Sequence, residues 1–322
     1  MPFIPRYLLA MLLALLPGLT AQAQNYPSRP VRFIIPFPPG GPTDILGRLA
    51  ADTLSKALGA QYLPDNRGGA GGNIGFDLCA KSAPDGYTIC MMTIAQSISP
   101  SIYRKLPFNP QKDFTPITLM AVLPSMLTVH PQLPVKNVKE LIALAKSKPG
   151  QLSYSSTGNG TSPHMLMEMF KWMTGTDIVH VPYKGQAPSV LDQISGQVQM
   201  AFNTAIGVIP QVKAGKLKAL AVSTKERFPA MPELPTVAES GVNGFDGASW
   251  QGVVMPAGVP RDIVMKTHEA LAKSLKTPEA RERLLGLGAL PSGNTPEEFA
   301  AFIKSETEKW AKVAKAAHIR LD

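Results

Sequence analysis

No G-x-S-x-G nucleophile elbow, no Gly-Lys-Ser/Thr phosphate loop and no metal-ligand spacing occurs in this chain. Without the elbow there is no α/β-hydrolase route to acyl transfer, and without the lysine loop there is no nucleotide cradle of the P-loop kind. The five histidines, His130, His164, His180, His268 and His318, are scattered, and His268-Glu269 lacks the second histidine of a zinc protease. Gly68 to Gly75 follows a strand and opens a helix, but its glycines never take the G-x-G-x-x-G spacing of a dinucleotide loop. No catalytic residue, cofactor or metal is expected.

Lysine and arginine outnumber aspartate and glutamate, 32 to 23, for a formal charge of +9. These residues never form a dense run interleaved with aromatics, so a nucleic-acid partner is not expected and a small anion is. Beyond the N-terminus no stretch is long and apolar enough to span a bilayer. Residues Met1 to Ala23 carry Arg6, a short apolar run from Tyr7 to Leu16, a Pro-Gly break and the exit Ala21-Gln22-Ala23. That pattern describes a cleavable secretory signal, with the mature chain starting near Gln24 and exported to the periplasm. No cysteine follows the apolar run, so a lipid anchor is not expected.

The signal's removal leaves 322 − 23 = 299 residues, more than one hydrophobic core usually serves. Two domains are therefore expected. One comes from both chain ends, residues 24–122 plus 250–322, and the other from the middle, residues 123–249. The crossings, near Ile117 to Met126 and Asp246 to Met255, are the expected hinges of a cleft that a ligand closes. Only two cysteines are present, Cys79 and Cys90. The turn Ser82-Ala83-Pro84-Asp85-Gly86-Tyr87 between them leads from a helix into a strand, so a disulfide is geometrically possible in an exported chain. Two buried thiols are the alternative.

Strand and helix patterns alternate. Val31 to Phe37 is β-rich and ends in Pro38-Pro39-Gly40-Gly41, after which Asp44 to Leu58 carries apolar residues at helical spacing. Tyr62-Leu63, a helix to Lys81 and a strand from Tyr87 to Thr93 follow, an order that implies parallel pairing. The middle repeats the theme: strands at Met126 to Val129, Leu152 to Ser155, Ile178 to Val181, Val198 to Phe202 and Ala219 to Val222. Between them lie a helix capped by Asn137, one from Pro163 to Thr174 and one from Ala187 to Ser195. The last helix has Thr295 as cap, Pro296 in its first turn and Glu298 placed for a capping box.

Two strand-to-helix loops are built to hold an anion. In Phe37-Pro38-Pro39-Gly40-Gly41-Pro42-Thr43-Asp44, glycines allow close backbone approach and the helix start presents unpaired amides. Ser156-Thr157-Gly158-Asn159-Gly160-Thr161-Ser162-Pro163 has the same design, and the two loops come from different expected lobes. His164, in the first turn beside the second loop, either touches the ligand or, as is commoner, packs structurally.

The residues also resemble a family. Tyr26-Pro27-Ser28-Arg29-Pro30, the Phe37 to Asp44 loop, Asn66 to Gly75, Ala83-Pro84-Asp85-Gly86-Tyr87-Thr88, His180-Val181-Pro182-Tyr183-Lys184-Gly185, Leu234 to Glu239 and Ser249-Trp250 occur in order along the chain. They resemble the Bug family, the periplasmic solute receptors of tripartite tricarboxylate transporters. The resemblance implies an α/β fold of two lobes, the type II periplasmic-binding-protein fold, each lobe a mainly parallel sheet flanked by helices. It implies a monomer that captures a small organic carboxylate between the lobes and delivers it to membrane permease subunits. It points to Phe37, Gly40, Gly41, Thr43 and Asp44 facing Thr157, Gly158, Asn159 and Thr161, with the loop Ile94-Ala95-Gln96-Ser97 lining the cleft. Ala95, Gln96, Tyr183, Asn203 and Ser249 complete the expected ligand set. Where relatives commonly present an acidic residue, after the strand Val198 to Phe202, this chain has Asn203-Thr204. An amide there cannot balance a ligand ammonium, which argues against an amino-acid ligand.

Overall fold

The computed structural model describes residues 26–321, so the expected signal segment and the start near Gln24 lie outside the described residues. The chain builds two sheets, each flanked by helices, and these are the cores of two lobes.

The first sheet collects β1 (Val31–Ile35), β2 (Tyr62–Asn66), β3 (Thr88–Thr93), β4 (Phe114–Leu123), β10 (Ser249–Pro256) and β11 (Leu290–Pro291), in the order β11-β4-β10-β3-β1-β2. The second collects β5 (Ser125–Val129), β6 (Ser153–Ser156), β7 (Val179–Pro182), β8 (Met200–Thr204) and β9 (Lys218–Val222), in the order β7-β6-β8-β5-β9. Parallel pairing holds for β2-β1-β3 and for β7-β6-β8. β10 runs antiparallel to β3 and β4, and β5 antiparallel to β8 and β9, so both sheets are mixed. The alternation rule does not reach these strands because no crossover helix precedes them. Both segments expected to be hinges contribute strand: β4 runs through Leu123, and only Pro124 separates it from β5. Leu123 and Ser249 are register partners, so the two crossings leave the first sheet side by side.

The helices are α1 (Pro42–Leu58), α2 (Asn73–Ala80), α3 (Ile94–Ile102), α4 (Val138–Ser147), α5 (Ser162–Thr174), α6 (Gln186–Ile194), α7 (Ala205–Lys213), α8 (Arg261–Leu275), α9 (Pro278–Gly286) and α10 (Pro296–Ala316). α4 starts on Asn137 as expected, and the Thr295–Glu298 capping box starts α10. Ile94 to Ser97 is not a loop but the first turn of α3, because Thr93 and Gln96 form a capping box that nucleates a helix directly off β3.

α10 ties the lobes together. Its Phe299, Ile303 and Trp310 share one buried cluster with Met92 of β3 and Phe202 of β8. Inside that cluster the indole nitrogens of Trp250 and Trp310 donate to Glu306 Oε2 at 3.1 and 3.0 Å, which satisfies a carboxylate otherwise costly to bury. Cys79 of α2 and Cys90 of β3 are joined as a disulfide, with Cα atoms 6.4 Å apart and both side chains fully buried. Among the described residues no helix is long and apolar enough to cross a membrane.

Candidate functional site

A cleft of about 620 Å³, measured to its open mouth, lies where both anion loops meet. The first loop leaves β1 and enters α1 at Gly41, which has no side chain to cap the helix, and Pro42 occupies the first turn. The early amides of α1 are thus left for a partner in the cleft. Thr43 lines the cleft, and its Oγ1 accepts Nε2 of Gln251 at 3.0 Å. That leaves the threonine hydroxyl hydrogen free to donate.

The second loop enters α5 at Thr161, whose hydroxyl donates back to the Gly158 carbonyl at 2.6 Å instead of capping the helix. Gly158 and Gly160 stand at φ +126° and +73°, which side chains rarely adopt, so this tight loop requires glycine at both. Thr157, Thr161 and Ser162 line the cleft.

Three more helices begin here. Gly185 precedes α6 without a side-chain cap, and Lys184, Gln186 and Ala187 line the cleft. Thr93 and Ala95 bring the start of α3, and Thr204 brings the junction of β8 with α7. Five helix N-termini therefore border one cavity, each adding partial positive charge. Among the described lining residues Lys184 alone carries a formal charge, and there is no carboxylate. Phe37, Pro38, Pro39, Ile94 and Pro188 supply apolar wall. Ser249 and Gln251 of β10 come from the crossing strand.

Of the expected ligand residues, Phe37, Gly41, Thr43, Ala95, Thr157, Thr161 and Ser249 come together on the cleft. The others shape it from behind. Gly40 donates its amide to Asp44 Oδ2 at 3.0 Å. Asp44 also accepts Arg48 Nε and Asn66 Nδ2, each at 2.9 Å, which locks the first loop. Burial pushes the Asp44 carboxyl up, but the bonds from Arg48, the Gly40 amide and Asn66 outweigh burial and hold it below the usual carboxylate range. Gln96 is spent on the α3 cap, its Oε1 accepting Thr93 N and Oγ1 at 3.0 Å. Tyr183 donates its hydroxyl to Asp192 at 2.7 Å. Gly158 serves the loop's internal bonds.

Asn203 does not line the cleft. It is buried on the other face of β8, donating to Thr128 Oγ1 at 2.9 Å and Gln193 Oε1 at 2.8 Å. Strand side chains alternate, so its neighbour Thr204 faces the cleft instead. Asn159 lies where the lobes touch: a Cβ placed on Gly71 would stand 2.6 Å from its carbonyl oxygen. Gly160 meets Ile102 in the same way, at 2.5 Å from Cδ1, and Gly185 meets Pro38 at 3.6 Å.

Sequence reasoning missed Thr93, Ser162, Lys184, Gln186, Thr204 and Gln251. For α6 a signal existed, since Gly185 with Pro188 in the first turn repeats the design of Gly41 with Pro42. For Gln251 there was none, because its partner Thr43 is 208 residues away.

Residues 46–319 match the model of the tripartite tricarboxylate transporter family receptor, TctC. The chain belongs to this family. It is similar to protein BugT of Bordetella pertussis, 34% identical over 305 residues, covering 93% of this chain and 92% of BugT. Among solved structures it is similar to a Rhodopseudomonas palustris protein determined with adipate, with a TM-score of 0.89 and 38% identity over 92% of this receptor and 99% of that chain. MatC from Rhodopseudomonas palustris with bound malate gives a TM-score of 0.85 and 31% identity over 89% of this receptor and 99% of that chain. The two-lobed architecture is thus that of the family.

Proposed function

We propose that this receptor works in the periplasm as a monomer. It takes one small organic carboxylate between its lobes and presents it to the permease subunits of a tripartite tricarboxylate transporter, without transforming it. The carrying observation is the convergence of five helix N-termini and Lys184 on a cleft whose described lining holds no carboxylate. Such a site favours an anion and offers nothing to balance an ammonium. Relatives determined with adipate and with malate support the same ligand class.

The lobes, residues 24–122 plus 250–322 and residues 123–249, close as units about the adjacent crossings at Leu123 and Ser249. Ligand contacts fall on Thr43, Thr157, Thr161, Ser162, Lys184, Thr204, Ser249 and Gln251. A thermal-shift screen of adipate, malate, succinate, citrate, benzoate and aspartate tests the assignment. A true ligand at a hundred times its dissociation constant adds about 2.7 kcal/mol of stability. Stabilisation by none of these acids, or by aspartate alone, sinks it.

A further inference from the structure

Beneath the second loop lies a group of side chains that carboxylate capture has not yet used. The His164 and His180 rings stack with centroids 4.3 Å apart and planes at 24°. His180 stacks in turn on Tyr154, at 4.7 Å and 16°. Each histidine sends one nitrogen to the loop. His164 Nδ1 accepts the Gly160 amide at 3.2 Å, which places that ring's proton on Nε2. His180 Nε2 lies 2.6 Å from Ser156 Oγ.

That hydroxyl accepts the Gly158 amide at 3.2 Å and donates to the Gly158 carbonyl, also at 3.2 Å. Its remaining lone pair suits the N–H of His180. The same carbonyl accepts the amide and the hydroxyl of Thr161, at 3.3 and 2.6 Å. A serine this close to a histidine resembles a nucleophile–base pair. Ser156, however, is fully buried, does not line the cleft and has its oxygen engaged on every side.

We propose that His164 and His180 are positioning residues for ligand capture: the stacked pair fixes the loop from Ser156 to Thr161 and so aims Thr157 and Thr161 into the cleft. The inference rests on the cleft being the ligand site. The groups facing the pair are Tyr154 on β6 and Glu168 and Lys171 on α5. Tyr154 and Lys171 both donate to Glu168 Oε1, at 2.6 and 2.7 Å, so that carboxylate is already engaged. Burial, with Lys171 assisting, outweighs the pull of Glu168 and holds His164 down at about 4. Burial, then the neighbouring His164 and Lys171, hold His180 at about 3. Both rings are neutral at pH 7, as the acceptor role of His164 requires. A proton on His164 Nδ1 would set two N–H groups face to face.

The test compares His164→Phe and His180→Phe, which keep a stacking ring, with His164→Asn and His180→Gln. Asparagine restores an acceptor near the Nδ1 position, and glutamine restores an N–H near Nε2. Calorimetric titration with adipate is paired with hydrogen exchange of the 157–162 amides in the ligand-free protein. Each Phe variant is expected to bind about tenfold more weakly and to exchange faster across the loop, while the Asn and Gln variants stay near wild type in both. The proposal is overturned if the Phe variants exchange and bind like wild type. It is overturned equally if the Asn and Gln variants lose as much as the Phe variants, which marks bulk packing instead of a positioned hydrogen bond. If wild type binds no acid in the panel, the carboxylate assignment fails, and hydrogen exchange still decides whether the pair fixes the loop.

Discussion

Gln251 donates from Nε2 to the hydroxyl oxygen of Thr43 at 3.0 Å, joining the crossing strand to the first anion loop. Because the threonine oxygen accepts this bond, its hydroxyl still has a hydrogen to donate to a ligand. Thr43→Val and Gln251→Leu should each weaken ligand binding by about 1.5–3 kcal/mol, the scale of a hydrogen bond to a charged group. The double variant should lose less than the sum, because the two residues act through one bond. Full additivity in a calorimetric cycle would mean they act separately.

Lys184 is exposed at the cleft and carries its one formal charge among the described lining residues. Lys184→Gln should cost up to about 1 kcal/mol at low salt, since exposed charges contribute little. It should also flatten the dependence of affinity on ionic strength. Equal salt slopes for both proteins would take Lys184 out of recognition.

Asn203 and Thr204 separate stability from selectivity. Asn203→Asp replaces a buried donor with an acceptor opposite Gln193 Oε1, so it should destabilise the protein by about 3 kcal/mol in urea denaturation. Thr204→Asp sets a carboxylate in the cleft and should move preference from succinate toward aspartate by about 1 kcal/mol. A selectivity change in the Asn203 variant alone would reverse the assignment of faces.

The disulfide closes a short loop, with a sequence separation of 11. Unfolded, unreduced protein should show no titratable thiol. The Cys79→Ser, Cys90→Ser double variant should lose about 3 kcal/mol. Two thiol equivalents in untreated protein would contradict the bridge.

The buried histidines predict an acid limb in ligand-free stability. The folded pKa of His164 lies near 4, below its ordinary 6.5, so the unfolded chain binds the extra proton between these values. Stability is complete above about 6.5 and falls as pH drops toward 4, by at most about 1.4 kcal/mol per pH unit for each such histidine. Asp44 works lower, its folded pKa lying below 3.8, so its contribution is lost only as pH falls past that value. Urea midpoints at pH 7, 5.5 and 4.5 should fall for wild type and stay nearly flat for a His164→Asn, His180→Gln double variant. Parallel slopes would assign the limb to other groups.

The sequence disclosed what depends on neighbours along the chain. The glycines before α1 and α5, the Thr295 cap and the strand alternation that builds β1 to β3 are all local signals, and each appeared in the structure. What stayed hidden depends on register. Asn203 and Thr204 are adjacent, and one step along a strand decides which of them meets the cleft. Gln96 belongs to the expected ligand set only if Ile94 to Ser97 is a loop, and its cap on Thr93 makes that stretch the first turn of α3. β5 and β10 each follow a strand with no helix between, so alternation along the chain carries no signal for their antiparallel pairing.

The place of β10 in the first sheet also sets an order of assembly. It sits between β3 and β4, so those two strands stay apart until Ser249–Pro256 is available. The strands of the second sheet are drawn without interruption from Ser125 to Val222, while part of the core beneath that sheet is covered only by α10, which comes last. For a chain delivered N-terminus first, the middle lobe can complete its sheet while β3 still exposes an unpaired edge. Open edges are where chains pair wrongly with one another. A holdase would therefore matter most for the leading segment, and a truncation before Ser249 should leave an aggregating first lobe beside a middle sheet that is paired but stripped of its cover by α10.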